Sequence, residues 1–212
     1  MNIGGNEIIY WLLCEVNMIS EAEKLINYLT EQKDCIRCQG LLLMFESGLR
    51  IGELVGLKPE DASRKNYLQV QRTEVKIKDE NGKWKLQVQE ATKTCAGTRT
   101  IIISDQADET INNILRLRSE GEYLFMEDGK WLNSKSFRRK LMRVCKKLEI
   151  PYKPNHKIRR TYGTMLIDGD VDDSFIAEQM GHADVSTTRE YYYYSNKREN
   201  KRKQQINDVI RY

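Results

Sequence analysis

The chain has only two histidines in 212 residues, His156 and His182, and the first stands in a setting that suits a phosphate. His156 and Arg159 lie three apart, on one side of the first turn of a helix that Pro151 and Pro154 force to begin there. Two groups able to carry positive charge fit poorly at the positive end of a helix dipole. An anion docked at that end resolves the conflict. His182 follows Gly181, 23 residues after Arg159, and a run of four tyrosines begins nine residues later at Tyr191. Upstream, Arg50 falls at the turn between two helices, where an arginine facing the interior is costly without a charged partner. Glu53, one turn later, is placed to hold it. Guanidinium forks match phosphate oxygens, so the chemistry this set suits is work on a phosphate group.

The elements that position these residues follow from periodicity. Ser20 and Glu23 form a capping box for a helix burying Ala22, Leu25, Ile26 and Leu29. A second helix, from about Cys35 to Ser47, is buried nearly all round at Leu41 to Phe45 and ends at Gly48. A short third helix runs from Ile51 to Leu57, and Lys58-Pro59-Glu60-Asp61 turns the chain. The period then becomes two. Val75 and Ile77, then Trp84, Leu86 and Val88, alternate with polar residues about a two-residue Asn81-Gly82 hairpin turn, and Arg99 to Ile103 adds a third strand. This predicts a small antiparallel sheet with Lys93 near one tip. Ser104 caps a helix burying Ile111, Ile114, Leu115 and Leu117. After a tight turn at Asp128-Gly129, a helix from about Ser134 to Leu148 carries Phe137, Leu141, Val144 and Leu148 on one stripe. The helix bearing His156 and Arg159 runs to about Ile167 and buries Ile158, Tyr162, Met165 and Leu166. Another, from about Asp172 to Met180, closes at Gly181, and Ser186 caps a short helix carrying Tyr191. The fold class expected is mixed, mainly α with a small antiparallel sheet.

Hydrophobic residues are 40% and charged residues 31%, which suits a globular core. The longest apolar runs fall far short of a membrane span, and the N-terminus lacks a secretory pattern, which together predict a cytoplasmic protein. The net charge is only +4, but it is localised. Arg138, Arg139, Lys140, Arg143, Lys146 and Lys147 crowd one helix, and Lys197, Arg198, Lys201, Arg202 and Lys203 crowd the tail. Such clusters are the footprint of a polyanion, although charge runs are also common on plain solvated helix faces. Five cysteines, an odd number, argue against a disulfide framework. Cys35 and Cys38 form a lone CxxC, read as a helix start facing a core and not as a zinc or redox site. No metal site is expected.

His156-Lys157-Ile158-Arg159, Gly181-His182 and Tyr191, at this spacing near a basic C-terminus, resemble box II of the tyrosine recombinase (phage integrase) family. Ser47-Gly48-Leu49-Arg50-Ile51-Gly52-Glu53-Leu54 resembles its box I, and the likeness extends from about Ile19 to Tyr194. The resemblance implies the family's DNA breaking-rejoining catalytic fold. It implies site-specific recombination of double-stranded DNA through a 3′-phosphotyrosine intermediate, in a mobile element, with no cofactor. It places Tyr191 as nucleophile, Arg50 and Arg159 on the phosphate oxygens, His182 as a hydrogen-bond donor and Lys93 as general acid. Lys83 and Lys85 compete for the last role, and Tyr192, Tyr193 and Tyr194 flank the nucleophile. His156 is the candidate to take the tyrosine proton, and Glu53 supports Arg50. Arg138, Arg139, Arg143, Lys146, Lys147 and Arg160 are expected to face DNA. Arg160 stands where the family commonly has histidine, a departure expected to tune phosphate contacts without abolishing activity.

Residues 1–18 are expected to be a linker remnant or extra segment, 19–194 the catalytic domain, and 195–212 a basic tail exchanged between protomers. The first segment is too short for the helical core-binding domain usual in the family. The resemblance further implies a tetramer on DNA and a monomer without it. Two other readings remain: a DNA-binding decoy or regulator without catalysis, and a small α/β enzyme acting on phosphorylated metabolites. The latter lacks a glycine-rich phosphate loop.

Overall fold

A computed structural model describes residues 20–90 and 98–182, together with residues 206, 207, 209 and 210. The fold is built around one helix. The first helix, α1, spans residues 20–31 and buries Leu25 and Leu29. Helix α2 (Ile36–Ser47) buries ten of its twelve residues, because it is apolar on every face and packs against helices on several sides. Those neighbours are α4 (Asp105–Leu117), α5 (Ser134–Lys147) and α6 (Asn155–Asp168). Between α2 and α4 lie α3 (Ile51–Val55), a 3-10 turn at Pro59–Ala62 and four strands. Helix α7 (Asp173–Met180) packs on α6. Three of the helix starts have a local cause: Ser104, Asn133 and Asp172 accept backbone N–H bonds at the starts of α4, α5 and α7. Among the described residues, no helix is long and apolar enough to cross a membrane.

The strands do not form one sheet. β1 (Tyr67–Val70) pairs antiparallel with β4 (Arg99–Ile102), and β2 (Arg72–Lys78) pairs with β3 (Trp84–Glu90). The predicted third strand therefore joins β1, a strand not anticipated, and leaves the hairpin separate. The reason is burial: Leu68, Val70 and Ile101 are core residues, whereas the hairpin faces are half-buried or open. The hairpin turn is also longer than expected. Asp79 donates its N–H to Lys83 O at 2.8 Å, so Glu80, Asn81 and Gly82 form a three-residue loop, with Gly82 at φ 72. The Asp128-Gly129 turn has both residues at positive φ and links the short strands β5 (Met126–Glu127) and β6 (Lys130–Trp131). Leu115 and Met165, expected inside, are exposed, since each falls on the solvent side of its helix.

Gly48 ends α2 at φ 64, and a β-carbon there would stand 2.3 Å from Cδ1 of Tyr162 on α6. Both the left-handed backbone and the missing side chain are required. Gly48→Ala is expected to cost about 3 kcal/mol, about 1–2 from the αL strain and the rest from overpacking, read as a lowered urea midpoint.

One buried acid lies where α2 meets α4. Burial pushes the Glu46 carboxyl up to about 7; the Thr110 hydroxyl partly offsets this, and the Glu109 charge adds to it. The folded state thus holds a proton that the unfolded chain releases from about pH 4.5 upward. Stability contributed by the neutral form is lost as pH rises towards 7. Glu46→Gln should therefore stabilise the chain by about 2–3 kcal/mol at pH 8 and by little at pH 4.5, measured by denaturant titration at both pH values.

Candidate active site

The end of α7 organises the site. The last carbonyls of any helix lack intrahelical partners and carry the negative end of the dipole. Here five consecutive ones are all satisfied. Ala177 O accepts from His182 N at 2.9 Å and Glu178 O from Gly181 N at 3.0 Å, the turn being closed by Gly181 at φ 61. The next three accept from arginines: Gln179 O from Arg99 Nε at 3.0 Å, Met180 O from Arg159 Nη2, and Gly181 O from Arg50 Nη2 at 3.0 Å. These arginines come from β4, α6 and the N-cap of α3. Residues 50, 99 and 159 thus converge on the turn that presents His182.

Glu53 locks two of them. Its Oε1 accepts from Arg50 Nη1 at 2.7 Å and from Arg99 Nη1 at 3.0 Å. Its Oε2 accepts from the Arg50 backbone N–H at 2.9 Å and from Arg99 Nη2 at 3.0 Å. Burial would raise this carboxyl, but the Arg99 hydrogen bonds and charge outweigh it, helped by Arg50, and hold it below its usual value. The predicted Arg50–Glu53 partnership is therefore present. The predicted burial of Arg50 is not: 47% of its side chain is open, while that of Arg99 is 5% exposed. The N-cap position lets Arg50 face outward while its backbone stays tied to Glu53.

Arg159 is buried, and its Nη1 donates to Gly48 O at 2.6 Å. It therefore bridges the C-terminal ends of α2 and α7. These two negative helix ends offset part of the positive charge at the start of α6. His156 is exposed on the first turn, and its imidazole makes no hydrogen bond or ion pair with another described residue. His182 is half-buried. Burial, then the charges of Arg159, Arg50 and Arg99, lower its pKa to about 4. Its imidazole is neutral at neutral pH, able to donate one hydrogen bond without a proton gained first.

The cluster as a whole is a preorganised cationic surface around a neutral imidazole, suited to an oxyanion. Lys93 and Tyr191, with Tyr192 to Tyr194, lie outside the described residues. On α5, Arg138, Arg139, Arg143, Lys146 and Lys147 are exposed, and Lys140 is half-buried. Arg160 lines a cleft between α1 and α6 with Lys153, Lys157 and Glu21. Among the described residues no group of three or more His, Cys, Asp or Glu could hold a metal.

Two contributors are not among the residues expected at the site. Arg99 occupies an inward slot of its strand, alternating with Ile101. An arginine in such a slot signals a buried carboxylate partner. Gln179 is buried, and its Oε1 accepts from Ile102 N at 2.9 Å, fastening α7 to β4. No local pattern marked it.

Residues 18–199 match the model of the phage integrase family. The chain is 30% identical over 170 residues to a XerC-like tyrosine recombinase of Caldanaerobacter subterraneus subsp. tengcongensis, covering 71% of this chain and 44% of that protein. It is 32% identical over 178 residues to the tyrosine recombinase XerA of Pyrococcus furiosus, covering 81% and 54%. The chain spans about half the length of these relatives. Its fold matches the Tn1549 transposon integrase in complex with circular intermediate DNA, with a TM-score of 0.71 at 19% identity over 88% of this chain and 65% of that one. It also matches a XerA recombinase crystal structure, with a TM-score of 0.66 at 22% identity over 91% and 64%. The expected mainly helical recombinase fold, with small antiparallel sheets, is the one observed. On the family match and the relatives together, this chain belongs to the phage integrase family of tyrosine recombinases.

Proposed function

We propose that this chain cuts and rejoins double-stranded DNA as the catalytic part of a site-specific tyrosine recombinase. The observation that carries the reading is the convergence of Arg50 and Arg159 on the α7 turn that presents neutral His182. The Tyr191 oxygen attacks a backbone phosphorus, forming a 3′-phosphotyrosine and releasing a 5′-hydroxyl. Arg50 and Arg159 stabilise charge on the non-bridging oxygens, and His182 donates to one of them. The tyrosine proton, held with a free pKa of about 10, passes to His156. Lys93 protonates the leaving 5′-oxygen. A second 5′-hydroxyl then attacks the phosphotyrosine and restores the backbone. Arg99 and Glu53 position Arg50 and touch no substrate. The exposed cations of α5 contact the DNA backbone, an interaction expected to weaken steeply with salt.

The Tn1549 integrase of the same fold is held on transposon DNA, and a Staphylococcus aureus transposase from Tn554 is 29% identical over 162 residues, covering 72% of this chain and 42% of that protein. Both support a mobile-element substrate. The chain acts as a homo-tetramer on DNA and a monomer without it, residues 195–212 passing to a neighbouring protomer. Light scattering on an authentic site should give the mass of several chains; a single chain per site would refute the exchange.

Relaxation of supercoiled plasmid in EDTA at low salt, with denaturing gels to catch protein–DNA adducts, tests the reaction. The unmodified chain should relax the plasmid and form the adduct. Tyr191→Phe should lose both completely. Activity surviving in that variant would move the nucleophile to Tyr192, Tyr193 or Tyr194. Tight binding with no adduct in either chain would favour the non-catalytic regulator.

A further inference from the structure

A cleft of about 440 Å³ lies between α1 and α6. Its walls are mostly apolar. Leu25, Phe45 and Ile158 are buried beneath it, Ile26 and Ile150 are half-covered, and Met165 lines it with 53% of its surface exposed. Apolar surface gathered in a concavity of this size favours an occupant over water. The cleft is also charged. Glu21 on the first turn of α1 and Lys153 just before α6 pair across it at 3.2 Å. Lys157 makes no ion pair with a described residue. Glu23 and Asp168 line the cleft too, yet like charges dominate the surroundings of Lys157: burial, then the Arg160 and Lys153 charges, push its ammonium below the usual value.

We propose that this cleft seats the N-terminal segment of the same chain, the apolar run from Ile8 to Leu13 covering its walls and the flanking Glu7 and Glu15 facing Lys157. The occupant is an acidic, apolar peptide already tethered at the cleft.

Three observations support that choice. The first is connectivity. Residues 1–19 lie outside the described residues and lead directly into Ser20, and Glu21 and Ala22, next in the chain, line the cleft. Leu13 is seven residues before Ser20, a span of at most about 25 Å when extended, so the run can fold back onto α6. The second is composition. Ile8-Ile9-Tyr10-Trp11-Leu12-Leu13 is six apolar residues in succession, two of them aromatic, and such a run gains most by burial against apolar walls. The third is charge. Residues 1–19 contain Glu7 and Glu15 and no lysine or arginine. The other end, residues 195–212, carries six lysines and arginines against two acids, and the Lys157 environment repels it. A seated segment would brace α6, the helix that carries His156 and Arg159. The inference does not depend on the proposed function.

Hydrogen exchange on the full chain, read by peptide mass, tests it. The amides of Ile8 to Leu13 should exchange at least about tenfold more slowly than in a free peptide of the same sequence. Lys157→Glu, which repels the acids, and Ala22→Trp, which fills the cleft, should each return them several-fold toward the peptide rate. The amides of α2 report in the same data whether each variant is folded. Zero-length carboxyl–amine coupling of the unmodified chain should join Glu7 or Glu15 to Lys157. Exchange at the free-peptide rate in the unmodified chain, or protection that both folded variants leave unchanged, would overturn the proposal. So would coupling of Lys157 to Glu199 or Asp208, which would place the tail in the cleft. Coupling only between two chains, read from a mixture of light and isotope-labelled protein, would place a second copy there and equally overturn it. The unmodified chain gives the first and last readings, so a misfolded variant would not shield the proposal.

Discussion

A Glu53→Gln chain is expected to lose about 3–5 kcal/mol of folding stability, the cost of removing one partner from a buried ion pair. Arg99 has nowhere else to place its charge: its side chain is 5% exposed, and two of its three guanidinium nitrogens donate to Glu53. Glutamine keeps the shape but offers one acceptor oxygen and turns an amide toward a guanidinium. Urea denaturation should show the midpoint fall, and a loss below about 1 kcal/mol would mean that water compensates the arginines. A double-mutant cycle sharpens the test. Combining Glu53→Gln with Arg99→Met removes both charges, so the pair should cost less than the sum of the two single changes. Cleavage should fall in both variants that lack the Glu53 carboxylate, because Arg50 loses the group that sets its direction.

The second large effect falls on Arg159. Arg159→Lys should lower DNA cleavage by about 10²–10³-fold, the usual cost of one lost oxyanion donor. A lysine ammonium is a point charge and cannot bridge Gly48 O and Met180 O while presenting a planar fork to phosphate. One carbonyl would then be left unsatisfied, adding about 1–3 kcal/mol of instability. Single-turnover cleavage of a suicide DNA substrate and denaturant titration separate the two. A chain that loses stability but cleaves at the normal rate would make Arg159 a structural bridge only. The lowered pKa of His182 offers a further reading of the same assembly. An added phosphate should raise it toward 6.5 by neutralising the surrounding arginines.

The legibility of this chain was uneven for physical reasons. Contacts within one turn were readable: Arg50 and Glu53 are three apart, and the expected bond is present. Helix ends were readable too, because Gly48 and Gly181 carry the left-handed conformation that ends α2 and α7. The central burial of α2 followed from its lack of a polar face. Exposure was less legible, and Arg50, Leu115 and Met165 were misplaced, since the width of a buried stripe depends on what packs against it.

The sequence by itself determined the helix order, the hairpin, the family and the spacing of Arg50, His156, Arg159 and His182. Those features rest on local periodicity, caps and motif spacing. Only the tertiary structure decided that β4 leaves the hairpin to pair with β1, that Arg99 shares Glu53 with Arg50, and that Arg159 reaches two helix ends. Each of these joins residues tens of positions apart. A buried charge is satisfied by whichever opposite charge or carbonyl the packing brings within 3 Å, and no spacing in the chain specifies which one that will be.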